Sequence, residues 1–236
     1  MKTNVALTIV VLLTIGSLHS YGQLLLGVRG GHSVSGITFT PEQDTRPLTS
    51  PLIDIGLILK HFDLEHVGFQ GELNYTQRGY LSFVDSSYYY KRVNSFVEMP
   101  LFFQIRAARN NFFGHINIGF CASIITHSKA GQNADLSQIE LSKYKLNILR
   151  DNYFNYGLKG GVGLGYDFSW GTIQLDVRYL YGLGDLYYYN YSGNPSRSPA
   201  WAINSSLSFM INLSNAKKEI AIFEDNRDIT NGINQI

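Results

Sequence analysis

The chain has 236 residues and 44% hydrophobic content, enough for one sizeable domain. Its 19 Lys and Arg nearly cancel 18 Asp and Glu, which excludes a global field that would recruit nucleic acid. The single cysteine, Cys121, excludes an internal disulfide, while 16 tyrosines and 23 glycines point toward strands, tight packing and interfacial aromatics.

Residues 1–22, "MKTNVALTIVVLLTIGSLHSYG", begin with a basic Lys2 and run apolar from Val5 to Ile15. Small residues then surround a cleavage site before Gln23, the pattern of a secretory signal peptide. The apolar run is far short of the ~20 residues a spanning helix needs, and no cysteine follows it to carry a lipoprotein anchor. Residues 23–214 are expected to form the folded unit and residues 215–236 a loosely ordered periplasmic tail of mixed charge.

Eight segments of the mature chain alternate apolar with polar or small residues, the period of a strand. The first is the glycine-rich "LLLGVRGGHSVSGI", carrying Arg29. "IDIGLILK" places Asp54 and Lys60 on its polar side, and "FQGELNYTQR" places Glu72 and Arg78 there. "VEMPLFFQIR" opposes Glu98 and Arg106 to Val97, Met99, Leu101, Phe103 and Ile105. Within it, Pro100 has no N–H to give a ladder, so a bulge or a local break is expected, and Phe102 puts apolar bulk on the polar side. "HINIGFCASI" follows, then "NYGLKGGVGLGYDFSW", with Lys159, Asp167 and Gly157, Gly161, Gly163 and Gly165 on one side. "TIQLDVRYLY" sets Asp176 and Arg178 against Ile173, Leu175, Val177, Tyr179 and Tyr181; "WAINSSLSFMINL" closes the series.

Each segment has the roughly ten residues that a tilted strand needs to cross a hydrocarbon core. Connections after the odd strands read long, "VDSSYYYKRVN" (84–94) and 126–153 among them, whereas those after the even strands read short. A membrane barrel with long extracellular loops and short periplasmic turns has this rhythm. Repeated glycine on the polar side also suits a narrow lumen better than a wet outer surface. Phe168 and Trp170 near a short turn, with Tyr179, Tyr181 and Trp201 near a long one, match two interfacial belts. The expected fold is all-β, an eight-stranded antiparallel up-and-down transmembrane β-barrel in the bacterial outer membrane, with both termini in the periplasm.

The polar faces would then bring Arg29, Lys60, Arg78, Arg106, Lys159 and Arg178 together with Asp54, Glu72, Glu98, Asp167 and Asp176. In so narrow a lumen the expectation is an ion-pair plug, with a selective pore as the alternative. His127 and Ser128, near Asp135 and Glu140, are the nearest thing to a hydrolase site, but adjacent residues of a strand face opposite ways. "HFDLEH" offers His61, Asp63, Glu65 and His66 in no spacing that matches a metal signature, and "GVRGGH" lacks a phosphate-loop lysine. No catalytic residue, metal or cofactor is expected. Residues 134–151 carry the pattern of a short helix that would cap the outer mouth. "YYY" (88–90) and "YYYNY" (187–191) are expected in outer loops, as partner contacts or rim aromatics.

Four stretches, "GVRGG" (27–31), "ELNYTQRG" (72–79), "VEMPL" (97–101) and "VRYLYGLGDL" (177–186), resemble the PorT-type family of small outer-membrane barrels of Bacteroidetes-like bacteria. The C-terminal extension departs from barrels that end on an aromatic residue. The resemblance implies a non-enzymatic envelope protein with a structural or interaction role, and the family's name-giving member implies a link to type IX secretion. A narrow transport pore and a lipid-modifying enzyme are the alternatives. The expected partners are outer-membrane lipid and an envelope protein met through the extracellular loops or the periplasmic tail, with no nucleic acid.

Overall fold

The computed structural model describes residues 23–64, 66–85, 88–132, 147, 149–191 and 193–214. Eight strands follow in order: β1 Gln23–Ile37, β2 Thr45–Leu64, β3 Val67–Asp85, β4 Tyr88–Arg109, β5 Phe112–Gln132, β6 Phe154–Asp167, β7 Gly171–Asp185 and β8 Pro199–Asn212. Each pairs antiparallel with its neighbour in sequence, and β1 pairs with β8, so the sheet closes into a barrel with no free edge along its length. Closure gives each strand a partner on both sides, which is what allows strands to stand in hydrocarbon.

The alternation resolves cleanly. Leu164 is 68% exposed, Phe120 72% and Leu101 63%, whereas Asp54, Glu98 and Asp176 are fully buried. One rung around the wall makes the point: Gly114, Leu164, Leu175, Leu207 and Gly30 are successive partners, and the three leucine side chains among them face outward. On the adjacent inward rung, His115, Gly163, Asp176, Ser206, Gly31, Asp54 and Thr76 follow one another. Apolar surface outside and charge inside is the arrangement that lipid imposes. Among the described residues no helix is long and apolar enough to cross a membrane, so the crossing is made by strands.

Inward glycines sit opposite bulky partners. Arg29 pairs with Gly56, Asp54 with Gly31, Lys159 with Gly119, His115 with Gly163, Phe113 with Gly165 and Arg178 with Gly161. A Cβ at Gly163 would meet His115 Cε1 at 2.4 Å, and one at Gly165 would meet Phe113 Cζ at 2.2 Å. The interior of an eight-stranded barrel is just wide enough for its side chains, and at these pairs glycine leaves the room that the large partner fills.

The short connections gather at the end that holds both strand termini of the barrel. The β4–β5 turn is only Asn110 and Asn111, with Asn110 at φ 55°, a conformation asparagine tolerates in hairpins. At this end Phe112, Tyr166, Phe168 and Trp170 form a continuous aromatic ladder, with successive ring centroids 4.7, 4.6 and 5.2 Å apart. Such belts lie at a membrane–water boundary.

At the opposite end the structure corrects two expectations. The strands reach 14 to 22 residues, longer than a crossing needs. Residues 84–94 form no long loop: β3 continues to Asp85 and β4 starts at Tyr88, with a ladder running from Gly79–Val93 to Phe83–Tyr89. Tyr89 and Tyr90 therefore belong to a strand, and Tyr90 is buried. Cross-strand pairing of alternating apolar residues (Leu81, Phe83, Tyr89, Val93) outweighs the polar, turn-like composition of this stretch. The helix expected at 134–151 lies outside the described residues over 134–146 and at 148; residues 149–151 form a turn closed by Asp151 N–H donating to Asn147 O at 2.7 Å.

Two ladder breaks have prolines beside them. The β2–β3 register shifts between Pro47 and Asp54, a stretch in which Pro47 and Pro51 have no N–H to donate. Two β1 serines reach past the break: Ser33 Oγ donates to Gln77 O at 2.6 Å, and Ser35 Oγ accepts from Gly79 N–H at 2.7 Å. At Pro100 the β3–β4 pairing lapses between Gly71–Leu101 and Asn74–Glu98 without changing register. This is the local break its missing N–H predicts.

Candidate functional site

The lumen is the only place where the described residues concentrate chemistry, and its centre is one connected set of ion pairs. Arg29 of β1 holds Asp54 at 3.0 Å and Glu72 at 3.2 Å. Glu72 also takes Arg178 of β7 at 2.6 Å, and Arg178 reaches Asp176 at 3.2 Å. Asp176 in turn is met by His115 Nε2 at 2.8 Å, Gln174 Nε2 at 2.7 Å and Asn117 Nδ2 at 3.2 Å. Lys60 donates to Gln174, which ties β2 to the same set. A second group joins Glu98 to both Arg78 and Lys159. A third lies toward the short-turn end, where Arg106 pairs with Asp167 at 3.1 Å between the Phe62 and Phe113 rings. The structure thus brings all eleven expected charges to the inner face, in three groups.

A buried charge left single is costly, and ten of the eleven are ion-paired, whereas Lys60 donates to the neutral Gln174 amide; Glu72 also accepts from Gln70 and Asn74, and Asp54 from Asn204. Phe102, the apolar intruder on the polar face, lies 4.7 Å beneath the Arg178 guanidinium. A ring face there attracts a desolvated cation. Its phase fits the lumen for this reason.

Apolar side chains cluster toward both ends. At the short-turn end Leu25, Ile58, Phe62 and Met210 pack into one cluster. At the far end Ile37, Phe39, Tyr80, Phe96, Ile125, Leu186 and Tyr187 form another. Beside Arg78, Cys121 and Asn155 the lumen leaves a void of only about 10 Å³, near the minimum for a single water.

The far cluster is locked by a group that the strand pattern did not single out. Arg92 is fully buried; it reaches Asp151 at 2.6 Å, Ser128 Oγ and Asn94 Oδ1 at 3.1 Å each, and Tyr187 OH at 2.6 Å. Tyr187 OH also lies 2.6 Å from Tyr80 OH. Arg150 Nε donates to Asp151 at 2.8 Å. Burial pushes the Asp151 carboxyl up, but the hydrogen bonds from Arg150 and Arg92 outweigh it and hold it below the usual carboxylate range. Two backbone bonds, Asn152 N–H to Leu186 O and Tyr188 N–H to Arg150 O, staple the two outer connections over the mouth. Arg92 sits in a stretch whose composition reads as loop, and Asp151 is far from it in sequence. Only the parity of Arg92 with Asn94 would have hinted at an inward side chain.

The remaining candidates do not assemble. Ser128 faces inward to Arg92, while His127 beside it is exposed. Asp135 and Glu140 lie outside the described residues. His61 stands in β2 and His66 in an exposed turn; Glu65 and the side chain of Asp63 lie outside the described residues. Among the described residues no group of three or more His, Cys, Asp or Glu is placed to hold a metal ion.

The family described as "Outer membrane protein beta-barrel domain" matches residues 18–188. No curated protein matches the sequence. Among solved structures, the outer membrane protein OprG from Pseudomonas aeruginosa is similar at 13% identity and a TM-score of 0.44, covering 82% of this chain and 97% of its own. Neisserial surface protein A is similar at 9% identity and 0.42, covering 79% and 96%. The attachment invasion locus protein Ail of Yersinia pestis, solved with the heparin analogue sucrose octasulfate, is similar at 11% and 0.35, covering 80% and 97%.

Proposed function

The chain belongs to the family of outer membrane protein β-barrel domains and resides in the bacterial outer membrane, and from that premise we propose that it is a closed, non-enzymatic barrel with a structural or interaction role in the cell envelope. One observation carries this reading: the lumen is occupied by mutually paired charges and capped at both ends by apolar clusters. A conducting pore needs a continuous water path, and a narrow lumen crossed by paired side chains does not offer one. The separation of His127 from Ser128 onto opposite faces supports the non-enzymatic part. The lumen charges act in this reading as an internal scaffold, replacing the apolar core that a soluble barrel would have.

The test is conductance. Reconstituted into planar bilayers, the refolded protein is expected to stay silent at moderate voltage; a steady unitary conductance would overturn the closed reading in favour of a narrow pore. The resemblance to the PorT-type family, carried by "ELNYTQRG" and "VEMPL", supports a place beside an envelope assembly of the type IX secretion kind. Affinity purification from native membranes is expected to recover a fixed set of envelope proteins. Recovery of the barrel alone would sink that assignment.

A further inference from the structure

On the wall beyond the membrane belt, three cations face outward with no ion pair to a carboxylate among the described residues. Above the belt, the inward residues of β4 are Tyr90, Arg92 and Asn94, so Lys91 points outward. Lys91 pairs with Leu81, and Leu81 with Arg46, which places Arg46 and Lys91 on one outward rung with Leu81 between them. Val93, the next outward position, pairs with Lys129 of β5, diagonal to Lys91. The Arg46 guanidinium lies 4.4 Å from the centre of the Phe83 ring, and Phe83 stands 5.6 Å from Tyr89. The patch is therefore cationic with an aromatic platform beside it.

Its isolation is specific. The other three arginines at this end each have an acid: Arg92 and Arg150 share Asp151, and Arg197 takes Asp185. Among the described residues Arg46, Lys91 and Lys129 form no ion pair, and Glu42 and Asp44 in the nearby β1–β2 connection form none with them. An unpaired cationic group on an outward face is complementary to an anion that comes from outside the protein.

The level identifies the anion. Val97 is the last strongly exposed apolar residue of β4 on the way out. Lys91 stands six positions further along the strand; at about 3.4 Å per residue and a tilt of about 40°, that is about 15 Å above Val97. In the outer membrane this is the headgroup zone, and the patch faces sideways into it. We propose that Arg46, Lys91 and Lys129 bind the phosphate of an outer-leaflet glycolipid, with Phe83 and Tyr89 against its sugar. Long cationic side chains extend readily to such headgroups, and aromatic rings suit the apolar face of a sugar at an interface. Each cation near an anionic headgroup contributes roughly fivefold in affinity, so the three together contribute roughly a hundredfold.

This inference rests on the outer-membrane placement and not on the closed lumen. The test uses the full barrel in nanodiscs containing either phosphorylated lipid A or its dephosphorylated form, with bound glycolipid counted by native mass spectrometry. Wild type is expected to retain the phosphorylated form at least tenfold better, and added salt to erode that preference. The triple variant Arg46→Gln/Lys91→Gln/Lys129→Gln is expected to lose the preference while keeping heat-modifiable gel mobility and the same conductance behaviour. Equal retention of the two forms by wild type overturns the proposal, as does a preference that the triple variant keeps.

Discussion

Gly163 and Leu164 are chain neighbours that meet opposite environments, one beneath the His115 imidazole and the other facing lipid. Placing a charge at the second, as in Leu164→Arg, costs about 2–4 kcal/mol near the midplane of a barrel. Crowding the first, as in Gly163→Leu, costs about 1–3 kcal/mol by overpacking. The two penalties overlap, so labelling separates the faces better than stability does. With the buried Cys121 replaced, Leu164→Cys is expected to react with a lipid-soluble maleimide and Gly163→Cys to stay protected. The reverse pattern would mean that the apolar face is the core. The same residue scale explains Phe102: a parity rule that sorts residues as polar or apolar misplaces a ring whose partner is a guanidinium.

At the scale of elements, the outer cap depends on an arginine from a strand and an aspartate from a loop. The Asp151 carboxyl is depressed below its ordinary value, so its contribution to holding the cap is present above about pH 4, the unfolded range for aspartate. That contribution is lost as pH falls through the lower folded-state value. Amide exchange at Asn152 and Tyr188, the donors of the two backbone staples, is expected to lose protection on acidification once intrinsic rates are corrected. Asp151→Asn leaves Arg92 buried without its anion, a loss of about 3–5 kcal/mol. It should show the unprotected amides already at neutral pH, with no further acid step. Protection that is unchanged in this variant would remove Asp151 from the role of latch.

The whole molecule has two seals and a charged core between them. Opening the outer cap alone should not produce a channel, because the Leu25–Phe62 cluster and the Arg29–Glu72–Arg178 pairs remain. Asp151→Asn in a planar bilayer is therefore expected to be as silent as wild type. A current that appears in this variant alone would mean that the cap is the sole barrier and the lumen beneath it conducts. The molecule is also lopsided, with β2 to β5 running past the belt while β6, β7 and β8 stop sooner. This raised wall carries the Arg46–Lys91–Lys129 patch.

The sequence by itself determined the wall. A strict two-residue period places each side chain inward or outward whatever its neighbours do, so "NYGLKGGVGLGYDFSW" and its seven counterparts declared the barrel, the lipid face and the inner set of charges. Proline chemistry is equally local, and the break at Pro100 could be read from its missing N–H. Only the tertiary structure decided which charge meets which, because strands β1, β3 and β7, which hold Arg29, Glu72 and Arg178, are brought together by closure and not by sequence spacing. It also decided that residues 84–85 and 88–94 are strand and that Arg92 is a buried latch. Turn-like composition is a weak local preference, and a partner strand continuing its ladder overrides it. The paired, plugged lumen is thus a property of the closed sheet: alternation chose the side, and closure chose the partners.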